Sequence, residues 1–263
     1  MSAAAADTPA RLAAIADRLE QARARREPVE HLRDEGLDWD GAYAVQGLLR
    51  ERRERQGDRV CGYKVAITSE AKLRAFGLAA PLCGFLCASD AIESGALAID
   101  DLIAPRIEPE IAFVMKRALA GPRCSVLDVL AATDFVVGAF EILDSRFVKG
   151  AFDPISATAD NVSTARHVLG RTIRRAHDLD LSLVGVVVTR DGAFVATGTS
   201  AAVFGHPAAS VAALVRVLTD QGRRLEAGAL VLSGGLVDAF GVVAGERLTA
   251  RYAGLGEVSV RFD

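Results

Sequence analysis

The segment "RIEPEIAFVM", Arg106–Met115, constrains this chain more than any other. Its apolar run predicts a strand, and residues at i and i+2 of a strand share a face. Glu108 and Glu110 then stand side by side among apolar neighbours. Like charges that close repel, and each is costly to desolvate, unless something positive lies with them. A fold that takes this strand inside must supply that positive group. Otherwise the strand lies at an edge, its glutamates in solvent or paired with Arg106 and Lys116.

A third carboxylate appears in "FVVGAFEILDSR", where Val137, Ala139, Glu141 and Leu143 share one strand face. Three carboxylates offering only oxygen suit a hard divalent cation, Mg²⁺ or Mn²⁺. Lys64 lies mid-strand in "VCGYKVAIT", with Gly62 and Ala66 on its face. Such a lysine either snorkels to water or serves as an acid, base or cation in a pocket.

The surrounding chain reads as α+β. Thr8-Pro9 is an N-cap and first-turn pair for a helix that turns Leu12, Ile15, Leu19 and Ala22 inward. A second helix covers "WDGAYAVQGLLRERRERQG", with Val45 and Leu49 inward, Gly57 as its stop and Arg50–Arg55 as a solvated end. From Val60 onward short apolar strands are punctuated by Gly, Pro and Asp, and Asp191-Gly192 marks a hairpin. "SEAKLRAFGL", "SVLDVLAAT", "DNVSTARHVLG" and "PAASVAALVRVLTDQG" read as helices between them. Strands outnumber long helices and do not alternate with them. The expected fold is therefore a mixed, strongly bent β-roll over 58–263 behind an N-terminal helical region, 1–57.

Composition excludes several functions. The 263 residues carry a net charge of −3, which offers no surface for nucleic acid or an anionic membrane. No apolar run approaches the ~20 residues of a membrane span. The N-terminal stretch lacks a basic n-region, and the expected location is cytoplasmic. No glycine-rich phosphate loop is present. Cys61, Cys83, Cys87 and Cys124 form no C-x-x-C pair and read as small buried hydrophobes.

The set E-x-E, then Glu141 inside "EILDSR", then "ADNVS" and "SGGL", resembles the fumarylacetoacetate hydrolase superfamily over nearly the whole chain. Within it the similarity is to the 2-oxopent-4-enoate hydratase and 4-oxalocrotonate decarboxylase branch. The resemblance implies a β-roll in which Glu108, Glu110 and Glu141 hold Mg²⁺ or Mn²⁺ and a 2-oxo acid chelates the metal. It implies Lys64 as the active-site lysine, Asp144 and Arg146 as orienting groups, and Ser163 as a contact for the substrate carboxylate. Each of the last three keeps a structural alternative: Asp144 and Arg146 pair together, or Ser163 caps a helix. In "APLCGFL" the hydratases carry an acid after the proline, where this chain has Leu82, which suits expulsion of a carboxylate. The expected reaction is decarboxylation of a 2-oxo-3-enedioate through a metal-bound dienolate. Hydration of a 2-hydroxydienoate and a non-catalytic partner role are the alternatives. A homo-oligomer, and pairing with a related hydratase, are further expectations. The chain departs from the branch at Ala66, at Ala151 (with Lys149 nearby), and at His206, which reads as a turn residue before a helix.

Overall fold

The computed structural model describes residues 8–93, 95–150 and 152–263, so Ala151 lies outside the described residues. Two helices open the chain, α1 (Pro9–Arg25) and α2 (Trp39–Arg55). The Thr8 hydroxyl accepts from the Arg11 amide as an N-cap, and Asp38 caps α2 in the same way. Ile15, Leu19 and Val45 meet Leu32, Phe147 and Ala159 in a small apolar cluster of their own. Of the arginines ending α2, Arg55 is solvated as expected, but Arg52 and Arg53 are not. Arg52 pairs with Asp17 at 2.7 Å, and Arg53 pairs with Asp58 and Asp90 at 2.5 and 3.0 Å. These pairs tie α2 to α1 and to the turn after the second strand.

The rest is built on β1 (Val60–Ala66), α3 (Glu70–Phe76), β2 (Leu82–Cys87), β3 (Ala96–Leu97) and β4 (Arg106–Met115). Then follow α4 (Val126–Ala132), β5 (Thr133–Leu143), α5 (Pro154–Ala159), β6 (Thr164–Leu169), β7 (Gly185–Arg190) and β8 (Ala193–Thr199). The chain closes with α6 (Pro207–Asp220), β9 (Leu230–Leu232), β10 (Phe240–Gly241), β11 (Arg247–Tyr252) and β12 (Gly256–Phe262). One curled sheet runs β2-β1-β9-β4-β5-β6, with β10 added to β4; a second runs β3-β12-β11-β7-β8. The β1–β9 and β12–β3 pairs are parallel and the others antiparallel, so the sheets are mixed as expected. The main core lies between them, with Ile107, Ile111, Phe113 and Phe140 from one sheet and Leu248, Val258 and Phe262 from the other.

Two sequence expectations need correction, on a segment expected to be helical and on the longest apolar run. "DNVSTARHVLG" is not a helix: Asn161, Val162 and Ser163 are all left-handed (φ 51°, 53° and 57°), and the remainder is strand β6. Tertiary pairing with β5 outweighs the local helical pattern. The segment "LCGFLC" forms strand β2, buried along its whole length. Its uninterrupted apolar run carries no strand alternation to read. The apolar stretch Ser200–Asp220, of mean hydropathy 1.5, does reach the length of a membrane span. Its main part, α6, is apolar almost all round because it lies in the main core. His206 precedes it as an N-cap, its Nδ1 accepting from the Ala208 amide at 3.0 Å. Cys83, Cys87 and Cys124 are buried free thiols and Cys61 is half-buried; desolvation pushes the Cys83 thiol up to about 12.

Candidate metal centre

β4 and β5 pair with Glu108 opposite Glu141 and Glu110 opposite Ala139, which puts three carboxylates on one face. Ligand oxygens from all three lie within 4.8 Å of one another. Glu110 and Glu141 are fully buried and Glu108 is half-buried. β4 is a central strand, so the edge-strand alternative is excluded. Burial, then repulsion from Glu141, raises the Glu108 carboxyl to about 7. The same two causes, with Glu108 added, raise Glu110 well above the carboxylate range. Glu141 is raised by burial against the opposing pull of Lys64.

Lys64 reaches this group from β1, which is separated from β4 by β9. Its Nζ lies 3.1 Å from Glu141 Oε2 with only 2% of the side chain exposed. Snorkelling is therefore excluded. One ammonium cannot offset three carboxylates. The Gly234 amide donates to Glu110 Oε2 at 2.6 Å, but among the described residues Glu110 Oε1 and both Glu141 oxygens have no aligned hydrogen-bond donor. Oxygen-only, largely buried and short of hydrogen-bond donors, this donor set fits a hard divalent cation.

The flanking residues make the cluster possible. A Cβ on Gly235 would stand 2.8 Å from Glu108 Oε2, and one on Gly234 (φ 113°) would stand 2.4 Å from Thr68 Oγ1. The glycine pair thus lets the β9–β10 loop press onto the glutamates and the β1–α3 loop together. From the second sheet, the Tyr252 hydroxyl accepts from the Glu110 amide at 3.1 Å and donates to the Ala139 carbonyl at 2.5 Å. A Cβ on Gly138 would meet that ring at 2.7 Å.

Leu82 opposes Ala66, two pairs beyond Lys64 and Gly84 and so on the same sheet face. It is 2% exposed and packs with Ala66, Ile67, Leu78, Ala157 and Val162. Asp144 and Arg146 do not join the glutamates through their side chains. The Asp144 carboxylate accepts from the Ile103 and Ala104 amides at 2.8–3.1 Å. Arg146 forms a buried ion pair with Asp160, not with the Asp144 carboxylate, and donates to the Asp144, Asp160 and Thr164 carbonyls. Ser163 leads into strand β6 and so caps no helix there; its carbonyl accepts from the Asp144 amide at 2.8 Å.

Three left-handed non-glycine residues in succession cost on the order of 1–3 kcal/mol each. Arg146 holds this turn from one side. On the other, the Asn161 side chain bonds both the amide and carbonyl of Phe85, at 2.8 and 2.9 Å. The sequence alone points to no site role for Asn161, Gly234, Gly235 or Tyr252. "SGGL" and "ADNVS" are visible as motifs, but Tyr252 carries no local signal.

A curled mixed sheet with this carboxylate cluster defines a class. A fumarylacetoacetate hydrolase family protein from Yersinia pestis CO92 shares the fold at 13% identity, with a TM-score of 0.57 over 76% of this chain and 92% of that one. No family model matches the chain. The chain belongs to the family of 4-oxalocrotonate decarboxylases and 2-keto-4-pentenoate hydratases. It is 43% identical to a 4-oxalocrotonate decarboxylase of Pseudomonas sp. (strain CF600), over 84% of each chain. It is 35% identical to a 2-keto-4-pentenoate hydratase of Paraburkholderia xenovorans (strain LB400), over 97% of this chain and 96% of the relative. The solved 4-oxalocrotonate decarboxylase from Pseudomonas putida G7, complexed with magnesium and adipate, superposes with a TM-score of 0.94 at 37% identity, covering 97% of this chain and 98% of that one.

Proposed function

We propose that the protein is a lyase that decarboxylates a 2-oxo-3-enedioate to a 2-hydroxydienoate. The observation that carries this reading is the buried cluster of Glu108, Glu110 and Glu141, with unpartnered oxygens and Lys64 Nζ at 3.1 Å from Glu141. The three glutamates would hold Mg²⁺ or Mn²⁺. When bound, that cation supplies a Lewis acid for the 2-oxo acid end of the substrate.

The remaining work falls to the chain. The bond to the distal carboxylate breaks, and its electron pair moves through the conjugated carbons to the C2 oxygen, which takes up a proton. Lys64 is positioned to hold that proton beside Glu141. Leu82 and its apolar neighbours wall the same face and disfavour a charged carboxylate relative to neutral carbon dioxide. They also place no base there to activate water. Asp144 and Arg146 act as positioning residues, holding the strained turn from which Ser163 meets a substrate carboxylate.

The isolated chain with Mg²⁺ should release carbon dioxide from 2-oxohex-3-enedioate and hydrate 2-hydroxypenta-2,4-dienoate slowly. Fast hydration without carbon dioxide would reassign it as a hydratase, in line with its 35% identity to one. No metal-dependent turnover would leave a non-catalytic partner role. A homo-oligomer, and association with a related hydratase, belong to the same proposal and are read from the mass of each species in solution.

A further inference from the structure

Lys72 lies on α3, just beyond the Thr68 that packs against Gly234. Its Nζ bonds Asp238 Oδ1 at 2.7 Å, three residues after the Gly235 that packs against Glu108. The pair therefore spans the two loops that border the cluster. Arg106, exposed at the start of β4, donates to the Ala239 carbonyl and completes the rim. Lys72 and Arg106 both hold Asp238 below the ordinary carboxylate range. Two cations and one carboxylate thus stand at the approach to the cluster, on a chain whose net charge is −3.

The Lys72–Asp238 pair is exposed, at 52% and 86% of its side chains. Such pairs are weak, and an incoming anion can take the place of the carboxylate. We infer that Lys72 is the capture residue of this site, exchanging Asp238 for the distal carboxylate and so selecting dianionic over monoanionic acids. The inference rests on the proposed 2-oxo-dioate substrate. Lys72 holds the distal carboxylate in the ground-state complex and not at the Leu82 wall where the bond breaks, so its effect falls on KM rather than kcat.

The test is calorimetric titration of the Mg²⁺-loaded protein with adipate and with hexanoate, a monoanion of equal length. Lys72→Met should weaken adipate binding about threefold to fivefold, the scale of an exposed charge pair. Hexanoate binding should not change. Lys72→Arg should restore adipate affinity, and the adipate preference should shrink as salt is raised. Adipate bound equally by wild type and Lys72→Met overturns this inference alone. Wild type that binds neither acid overturns the functional reading and this inference with it.

Discussion

Glu108 and Glu141 face each other across the β4–β5 ladder as a directly opposed pair. Like charges in that position weaken a sheet, and here the pair lies in the middle of the larger one. The arrangement becomes favourable only when positive charge enters between the strands, and Lys64 supplies a single unit of it.

Removing one of these charges should therefore stabilise the metal-free protein. Glu110→Gln keeps the volume and ends the repulsion from Glu108 and Glu141. Its melting temperature in chelator should exceed that of the wild type. With Mg²⁺ at a hundred times Kd the wild type should gain about 2.7 kcal/mol, and the variant little or nothing. Equal gains in thermal melts with and without Mg²⁺ would place the cation elsewhere.

Acidity should act on the same cluster with a definite sign. Glu108 is raised from 4.5 to about 7 and Glu110 well above its ordinary range, so these carboxyls bind more protons in the folded than in the unfolded chain above about pH 4.5. Asp160, raised to about 6 by burial, adds to this in the same direction. Stability of the metal-free protein should therefore be highest in this respect below 4.5 and fall as pH rises through 7. Mg²⁺ affinity should rise over the same range, because the cation competes with those protons. Melting curves from about pH 5 to 8 in chelator that climb with pH would contradict the assignment.

Lys64→Met should lower kcat by about 10²-fold or more, the scale of a lost acid–base group. Because it strips Glu141 of its ion pair, the metal-free variant should also melt lower. Mg²⁺ should still bind by titration and recover much of that loss. A variant with wild-type turnover would reduce Lys64 to a buried counter-ion.

Leu82→Asp should separate the two reactions. A carboxylate in this wall repels the distal carboxylate of the substrate, by ~1–3 kcal/mol at intermediate dielectric. Decarboxylation measured by carbon dioxide release should slow accordingly, while hydration of 2-hydroxypenta-2,4-dienoate should gain. Unchanged rates of both would remove Leu82 from the choice of reaction.

How far the sequence can be read depends on whether each signal is local. The E-x-E spacing is a property of one strand, and β4 spans the ten residues expected of it. The caps at Thr8 and His206 and the turn at Asp191-Gly192 (φ 51° and 83°) are equally local. β6 reads wrongly as helix because its partner, β5, lies well upstream and decides its conformation. Asp144 and Arg146 are legible as charged residues near the site. Only the fold shows their polar groups committed to amides, Asp160 and neighbouring carbonyls. Gly234 and Gly235 look like turn glycines, and their contact with Glu110, Glu108 and Thr68 exists only after three separate segments converge.

The Tyr252 hydroxyl gives the cluster a mechanical neighbour. It bridges the Glu110 amide and the Ala139 carbonyl, so the backbone of a candidate ligand is gauged against β11 of the opposite sheet. Sliding one layer over the other would displace Glu110 along with it. Loss of the cation and loosening of the sandwich then become a single cooperative event. Chelation should register far from the glutamates, as faster amide exchange along β11 and β12.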